Sequence, residues 1–223
     1  MRIGVLGTGN VGSTIGSRLI RAGHEVRMGS RTRDNAKAVA WATSQGAHAS
    51  LGTFADAAAF GDVIFNCTAG ANSLAAIEAA GAKNLRGKIL IDVANPLDFS
   101  KGMPPSLTVC NTDSLGEQIQ RVLPDTKVVK VLNTVNCRVM VNPGLVPGDH
   151  NLFLCGNDAA ARAQVAAWLS EWLGWPADTC IDLGDITAAR GTEMVLPLWI
   201  RLYGTLGTPD FNFRIMVGER PGA

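Results

Sequence analysis

The sequence predicts an α/β protein built on a doubly wound parallel sheet, with a small C-terminal α/β portion. Short β-rich runs alternate with alanine-rich helical stretches, which is the order that folds into a parallel sheet with helices on both faces. Val63-Ile64-Phe65 and Ile89-Leu90-Ile91 are apolar at every position, as strands covered on both sides are. A glycine-rich turn joins the first run directly to the first helix.

The elements follow in order. Strands are expected at Arg2–Leu6, Glu25–Met28, Val63–Cys67, Lys88–Val93, Lys127–Leu132, Leu152–Cys155 and Thr179–Asp182. Helices are expected near Val11–Arg21, Asn35–Ser44, Ser73–Ala82 and Ala159–Leu173. From Lys101 to His150 there is no alanine, and Pro, Asn and Val dominate. Ile186–Tyr203 reads as a terminal helix that Pro197 should kink or break, because proline lacks the N–H. Trp199, Leu202, Tyr203 and Leu206 recur there at helical spacing, as a packed face or as the cover of a pocket or dimer seam. The expected division is residues 1–145 as a nucleotide-binding domain and 146–223 as a smaller segment closing the substrate cleft.

Composition narrows the function classes. The 223 residues carry 20 Lys+Arg against 19 Asp+Glu, a formal charge of +1 that gives no basic surplus for nucleic acid. Five cysteines without a C-x-x-C pair suggest reduced thiols and a cytoplasmic location. No charged-then-apolar leader precedes the first strand, and no stretch approaches the ~18 apolar residues of a membrane span. His24, His48 and His150 show no metal-ligand spacing with the cysteines, so no metal is expected.

Gly7-Thr8-Gly9-Asn10-Val11-Gly12 is a G-x-G-x-x-G set between an apolar strand and a helix. In that context Gly7 makes the tight turn, Gly9 admits a pyrophosphate to the backbone, and Gly12 lets helix and strand pack closely. The helix N-terminus offers unpaired N–H groups to the phosphates. A dinucleotide site, and with it a Rossmann-type domain, is the reading. The second strand ends in Gly29-Ser30-Arg31-Thr32-Arg33 with no acid to bind ribose hydroxyls; Glu25 lies at the strand's start, the wrong end. Ser30 can donate to a 2′-phosphate and Arg31 can fork onto it or stack on adenine, which favours NADP over NAD. Asn66-Cys67-Thr68-Ala69-Gly70, Asp92-Val93-Ala94-Asn95-Pro96 and Asn133-Thr134 follow strands at the same sheet edge. Their Asn and Thr side chains hold ribose or nicotinamide amide groups, or are turn-formers satisfying their own backbone.

These residues carry a resemblance. The chain resembles the NADP-dependent oxidoreductases typified by the archaeal reductase of the deazaflavin coenzyme F-420, to which the reductase domain of the STEAP metalloreductases is related. The matching pieces are Ile3–Gly12, Gly23-His24-Glu25-Val26, Gly29-Ser30-Arg31, Asp92–Leu97, Val128–Thr134 and Gly184-Asp185-Ile186-Thr187-Ala188-Ala189-Arg190. The resemblance implies a Rossmann domain with a small C-terminal α/β portion, often as a homodimer. It implies that Thr8, Ser30 and Arg31 hold the 2′-phosphate end, with Arg33 the nearest match to a second cation. It also implies that the nicotinamide sits near Thr68, Ala69 and Asn95. The expected cofactor-binding set is therefore Gly7, Thr8, Gly9, Asn10, Val11, Gly12, Ser30, Arg31, Thr32, Arg33, Cys67, Thr68, Ala69, Asn95 and Asn133. Departures from the archaeal pattern are Thr68-Ala69-Gly70, Asn133-Thr134, and Trp199 and Tyr203 near the C-terminus, all on the second-substrate side.

Hydride transfer between two ring systems needs little acid–base help, since the cofactors carry the chemistry and the protein aligns them. No catalytic residue is assigned. Cys67 reads as a small buried filler, and Asp56, Asp62 and Glu193 as caps or solvated groups. The first functional reading is an NADP(H)-dependent oxidoreductase exchanging hydride with a flavin-like acceptor, coenzyme F-420 foremost and a flavin next. The competing readings are an NADPH-dependent reductase of a small carbonyl or imine, with Tyr203 as proton donor, and a non-catalytic NADP-binding redox sensor.

Overall fold

The structure is a computed structural model and describes residues 1–218. The chain runs β1 (Arg2–Leu6), α1 (Asn10–Arg21), β2 (Glu25–Ser30), α2 (Ala36–Gln45), β3 (Ala49–Thr53), α3 (Phe54–Phe60) and β4 (Val63–Asn66). It continues through α4 (Ser73–Ala80), α5 (Ala82–Leu85), β5 (Ile89–Asp92), β6 (Leu97–Asp98), β7 (Ser106–Leu107), α6 (Leu115–Val122) and β8 (Lys127–Lys130). The C-terminal part holds α7 (Cys137–Val141), β9 (Leu152–Leu154), α8 (Ala159–Trp168), β10 (Cys180–Asp182), α9 (Ala189–Met194) and α10 (Leu196–Leu206).

Six strands form one sheet in the order β3-β2-β1-β4-β5-β8, and every pairing within it is parallel. The order reverses at β1, so the carboxyl ends of β1 and β4 diverge over a crevice where doubly wound folds take their ligands. This is the expected Rossmann-type architecture. β9 and β10 pair in parallel around α8 as a separate two-stranded unit, joined to the main sheet by a bridge between Lys130 and Cys155.

The period-two alternation of the strands sorts the core onto two faces. Ile3, Val5, Val26, Phe65, Ile91 and Val129 meet Ile15, Leu19, Trp41, Val139 and Val165 of α1, α2, α7 and α8. Leu6, Ile64, Leu90 and Val128 meet Phe54, Ile77, Leu85, Leu115, Ile119 and Ala189 of α3 to α6 and α9. The C-terminal elements thus pack into the same two cores as the N-terminal ones.

The helix expected at Ala159–Leu173 continues beyond α8 as a π-turn over Leu169–Leu173 and stops at Gly174 in the left-handed region. Pro197 divides the terminal helix as expected, lying in the first turn of α10, where a missing N–H costs nothing. Seven elements were not expected from the sequence: β3, β6, β7, α3, α5, α6 and α7. Among the described residues no helix is long and apolar enough to cross a membrane, and all five cysteines are unpaired.

Candidate functional site

The G-x-G-x-x-G turn is shaped by contacts that admit no side chain. Gly7 has φ +115°, and a Cβ there would lie 2.6 Å from the Cys67 carbonyl oxygen. A Cβ on Gly12 would be driven into the Gly7 carbonyl, so the close crossing of α1 over β1 depends on it. Gly9 has open space around its missing side chain. It is the N-cap of α1, with no side-chain cap and no acid in the first turn. The first N–H groups of this twelve-residue helix therefore face the crevice with the helix dipole behind them.

A cleft of about 580 Å³ opens over this turn. It is lined by Gly7, Thr8 and Gly9 of the turn, by Ser30 and Arg31 at the end of β2, and by Cys67, Thr68 and Ala69 after β4. Phe54 and the small alanines of α4 supply an apolar flank. A second cleft of about 420 Å³ adjoins it, lined by Val11, Asn95 and the exposed ring of Phe99. Cys67, Thr68 and Ala69 border both, so the two spaces are contiguous across them.

Most of the expected residues are thus brought together. Asn10 and Gly12 lie in the first turn of α1, with Gly12 buried and acting through packing. The Ser30 hydroxyl donates to the Thr32 carbonyl, which folds the turn that presents Arg31. Arg31 is exposed, and among the described residues no carboxylate pairs with it. Arg33 differs: its Nε and Nη2 bind both carboxylate oxygens of Asp56 at 3.0 and 2.9 Å, and it does not line the cleft. Asn133 is buried behind Asn95 and lines neither cleft. Leu132 just before it has φ +67°, a left-handed turn rare for leucine that swings the chain toward Asn95.

Cys67 reaches both clefts, but burial, with Asp92 nearby, pushes its thiol far above the ordinary range, so it stays protonated. Asp56 is the capping-box acid of α3, and Asp62 pairs with Arg2 on the surface. Glu193 is neither on the surface nor a cap of its own helix: it is 1% exposed and accepts the Leu115 and Gly116 N–H groups of α6. Tyr203 stacks on Trp199 of α10 and lines neither cleft of this chain. Among the described residues no group of His, Cys, Asp and Glu could hold a metal ion.

Beneath the clefts lies a buried polar row that sequence reading missed. Asn66, Asp92 and Lys130 are the last residues of β4, β5 and β8 and stand in register. Lys130 Nζ lies 2.8 Å from Asp92 and 2.7 Å from Glu193 and also donates to the Ala94 carbonyl. Burial pulls the Lys130 pKa down, but the two carboxylates outweigh it and leave it raised, so the ammonium is held charged.

Comparison with known proteins places this geometry. Residues 2–96 match the family described as NADP oxidoreductase, coenzyme F-420-dependent. A crystal structure from Arthrobacter sp. FB24, provisionally named an F-420-dependent NADP reductase, is 54% identical. It superposes with TM-score 0.92 over 97% of this chain and 100% of that one. Metalloreductase STEAP3 of Rattus norvegicus is 28% identical over 207 residues, covering 89% of this chain and 38% of the relative. The chain therefore spans about two fifths of that relative's length. An imine reductase from Aspergillus terreus shares the fold at TM-score 0.65 and 18% identity, over 92% of this chain and 62% of that one.

Proposed function

Because the chain belongs to the coenzyme F-420-dependent NADP oxidoreductase family, we propose that it transfers hydride between NADP(H) and a flavin-like acceptor, with deazaflavin coenzyme F-420 foremost. The observation that carries this reading is the pair of contiguous clefts meeting at Cys67–Ala69, one sized and equipped for a dinucleotide, the other open beside it for a second ring system.

The residues present fit NADP(H). Open backbone at Gly9 and the first turn of α1 receive the pyrophosphate, and Gly12 keeps that turn close to β1. Arg31, with Thr8 and the turn through Ser30 and Thr32, receives the 2′-phosphate; its planar fork suits a bidentate contact. Thr68, Ala69 and Asn95 border the nicotinamide end, and Val11 and Phe99 give the second cleft apolar sides suited to a flat aromatic acceptor. The bound cofactor supplies the hydride. The chain's own residues hold two partners face to face and exclude water, which is where the rate advantage of such a site arises.

The reading extends to the assembly. Among the described residues none of the segment from residue 146 onward lines either cleft, and residues 219–223 of it lie outside the described ones. Helix α9 reaches the acceptor side at one remove, its Thr192 carbonyl accepting from Asn133 behind Asn95. On α10 only Leu196 is buried, while Leu198 and Leu206 are 54% and 53% exposed. That apolar face is the proposed seam of a homodimer, and a dimer mass by light scattering is the expected result.

The test of function is NADPH oxidation at 340 nm with purified protein, offered oxidised coenzyme F-420, FMN, FAD and ferric chelates in parallel. Saturable turnover with the deazaflavin supports the proposal. Tight NADPH binding with no turnover on any of these acceptors overturns it in favour of a carbonyl or imine substrate or a binding-only role.

A further inference from the structure

We propose that the buried triad Asp92–Lys130–Glu193 is a positioning device for the nicotinamide half of the cofactor, through which α9 fixes Thr68 and Asn95. The inference rests on the NADP(H) reading above.

The connections are continuous. Lys130 Nζ has three acceptors, Asp92, Glu193 and the Ala94 carbonyl, which use all its N–H bonds. Asp92 Oδ1 accepts the Ala94 N–H at 3.2 Å, so Ala94 is gripped at its N–H by the acid and at its carbonyl by the base. Asn95 follows immediately. Asp92 Oδ1 also accepts from Asn66 Nδ2 at 2.8 Å, and Asn66 Oδ1 accepts the Thr68 hydroxyl at 2.7 Å. Two of the polar residues that border the second cleft, Thr68 through its hydroxyl and Asn95 through the backbone before it, are thereby held by one ion cluster.

Its third member comes from the C-terminal segment. Glu193 accepts from Leu115 and Gly116 at 2.9 and 3.0 Å, against the positive end of α6, which offsets the cluster's surplus negative charge. The preceding residue, Thr192, accepts from Asn133, giving α9 a second tether to the same edge. A buried ion cluster is a poor source of stability, because packed apolar side chains of similar volume do as well or better. What this cluster supplies, and apolar packing would not, is a fixed orientation for hydrogen-bonding groups at the cleft floor.

The test compares two ligands on Glu193→Gln and, separately, on the near-isosteric Asp92→Asn; neither residue lines a cleft. NADPH engages both halves of the site, whereas 2′,5′-ADP engages the adenosine half alone. Equilibrium titration is expected to show NADPH weakened at least tenfold and 2′,5′-ADP within twofold of the unaltered protein. Unchanged NADPH affinity overturns the inference. So does parallel loss of both ligands in both variants, by misfolding or otherwise, which would assign the triad to general stability. If the unaltered protein binds neither ligand, the NADP(H) reading itself fails, a result separate from either of these.

Discussion

Asn95 and Asn133 hold each other reciprocally. Asn95 Nδ2 donates to the Asn133 carbonyl at 2.8 Å, and Asn133 Nδ2 donates to Asn95 Oδ1 at 3.0 Å. Asn133 Nδ2 also donates to the Thr192 carbonyl at 3.1 Å, so two acceptors fix its amide orientation and leave its Oδ1 buried without a donor. Asn133→Asp replaces the donor with a carboxylate facing two oxygens. It should lose about 1–3 kcal/mol of stability, the scale of an unsatisfied buried polar group. An unchanged urea midpoint would contradict this.

Thr53 caps α3, its hydroxyl accepting the Asp56 N–H while the Asp56 carboxylate accepts from Thr53 in return. Thr53→Ala should cost about 0.5–2 kcal/mol, read as a lowered unfolding midpoint. The Thr53 N–H and hydroxyl, with Arg33 beyond, hold the Asp56 carboxyl down at about 2. A carboxyl depressed in the folded state stabilises fully above its unfolded pKa of about 4, and that share is lost as pH falls toward about 2. The midpoint difference between Thr53→Ala and the parent protein should therefore shrink across that window, and a pH-independent difference would contradict it.

The thiols should separate by exposure. Cys110 is exposed, whereas burial raises Cys155 to about 12 and Cys180 to about 11, and Cys67 further still. With a thiol-reactive chromogen at neutral pH, the fastest phase should belong to Cys110 and disappear in Cys110→Ser. Fast labelling of Cys67 would contradict the burial that holds its thiol protonated.

Arg31 and Arg33 should differ despite lying two residues apart. Arg33 is engaged by Asp56, while Arg31 lines the cleft. Arg31→Ala should weaken NADPH by roughly 1.5–3 kcal/mol, the scale of a hydrogen bond to a charged group. Arg33→Ala should change it far less. Equal losses by isothermal titration would show that the Arg33–Asp56 pair opens to bind phosphate.

The sheet and the first cleft were legible because their signals are local. Apolar runs mark the buried strands, and the glycine set stands at the one turn where its spacing has a steric reason. β3 escaped because Ala49-Ser50-Leu51-Gly52-Thr53 is a half-buried edge strand with one large apolar side chain. Helices α3 and α6 did carry a signal, the capping patterns Thr53-x-x-Asp56 and Ser114-x-x-Glu117, which the short apolar stretches after them did not reinforce. The buried triad was not legible at all. Asp92, Lys130 and Glu193 look like ordinary strand-end and helix charges until the register of β5 and β8 and the packing of α9 bring them together.

The most direct test of the central claim, that the cleft over the glycine turn takes NADP(H) by its 2′-phosphate, is paired titration with NADPH and NADH on the unaltered protein and on Arg31→Asp. The expected result is at least tenfold tighter binding of NADPH than of NADH, with that preference lost in Arg31→Asp and NADH affinity little changed. Equal affinity for the two dinucleotides in the unaltered protein, or a preference that survives Arg31→Asp, would contradict it.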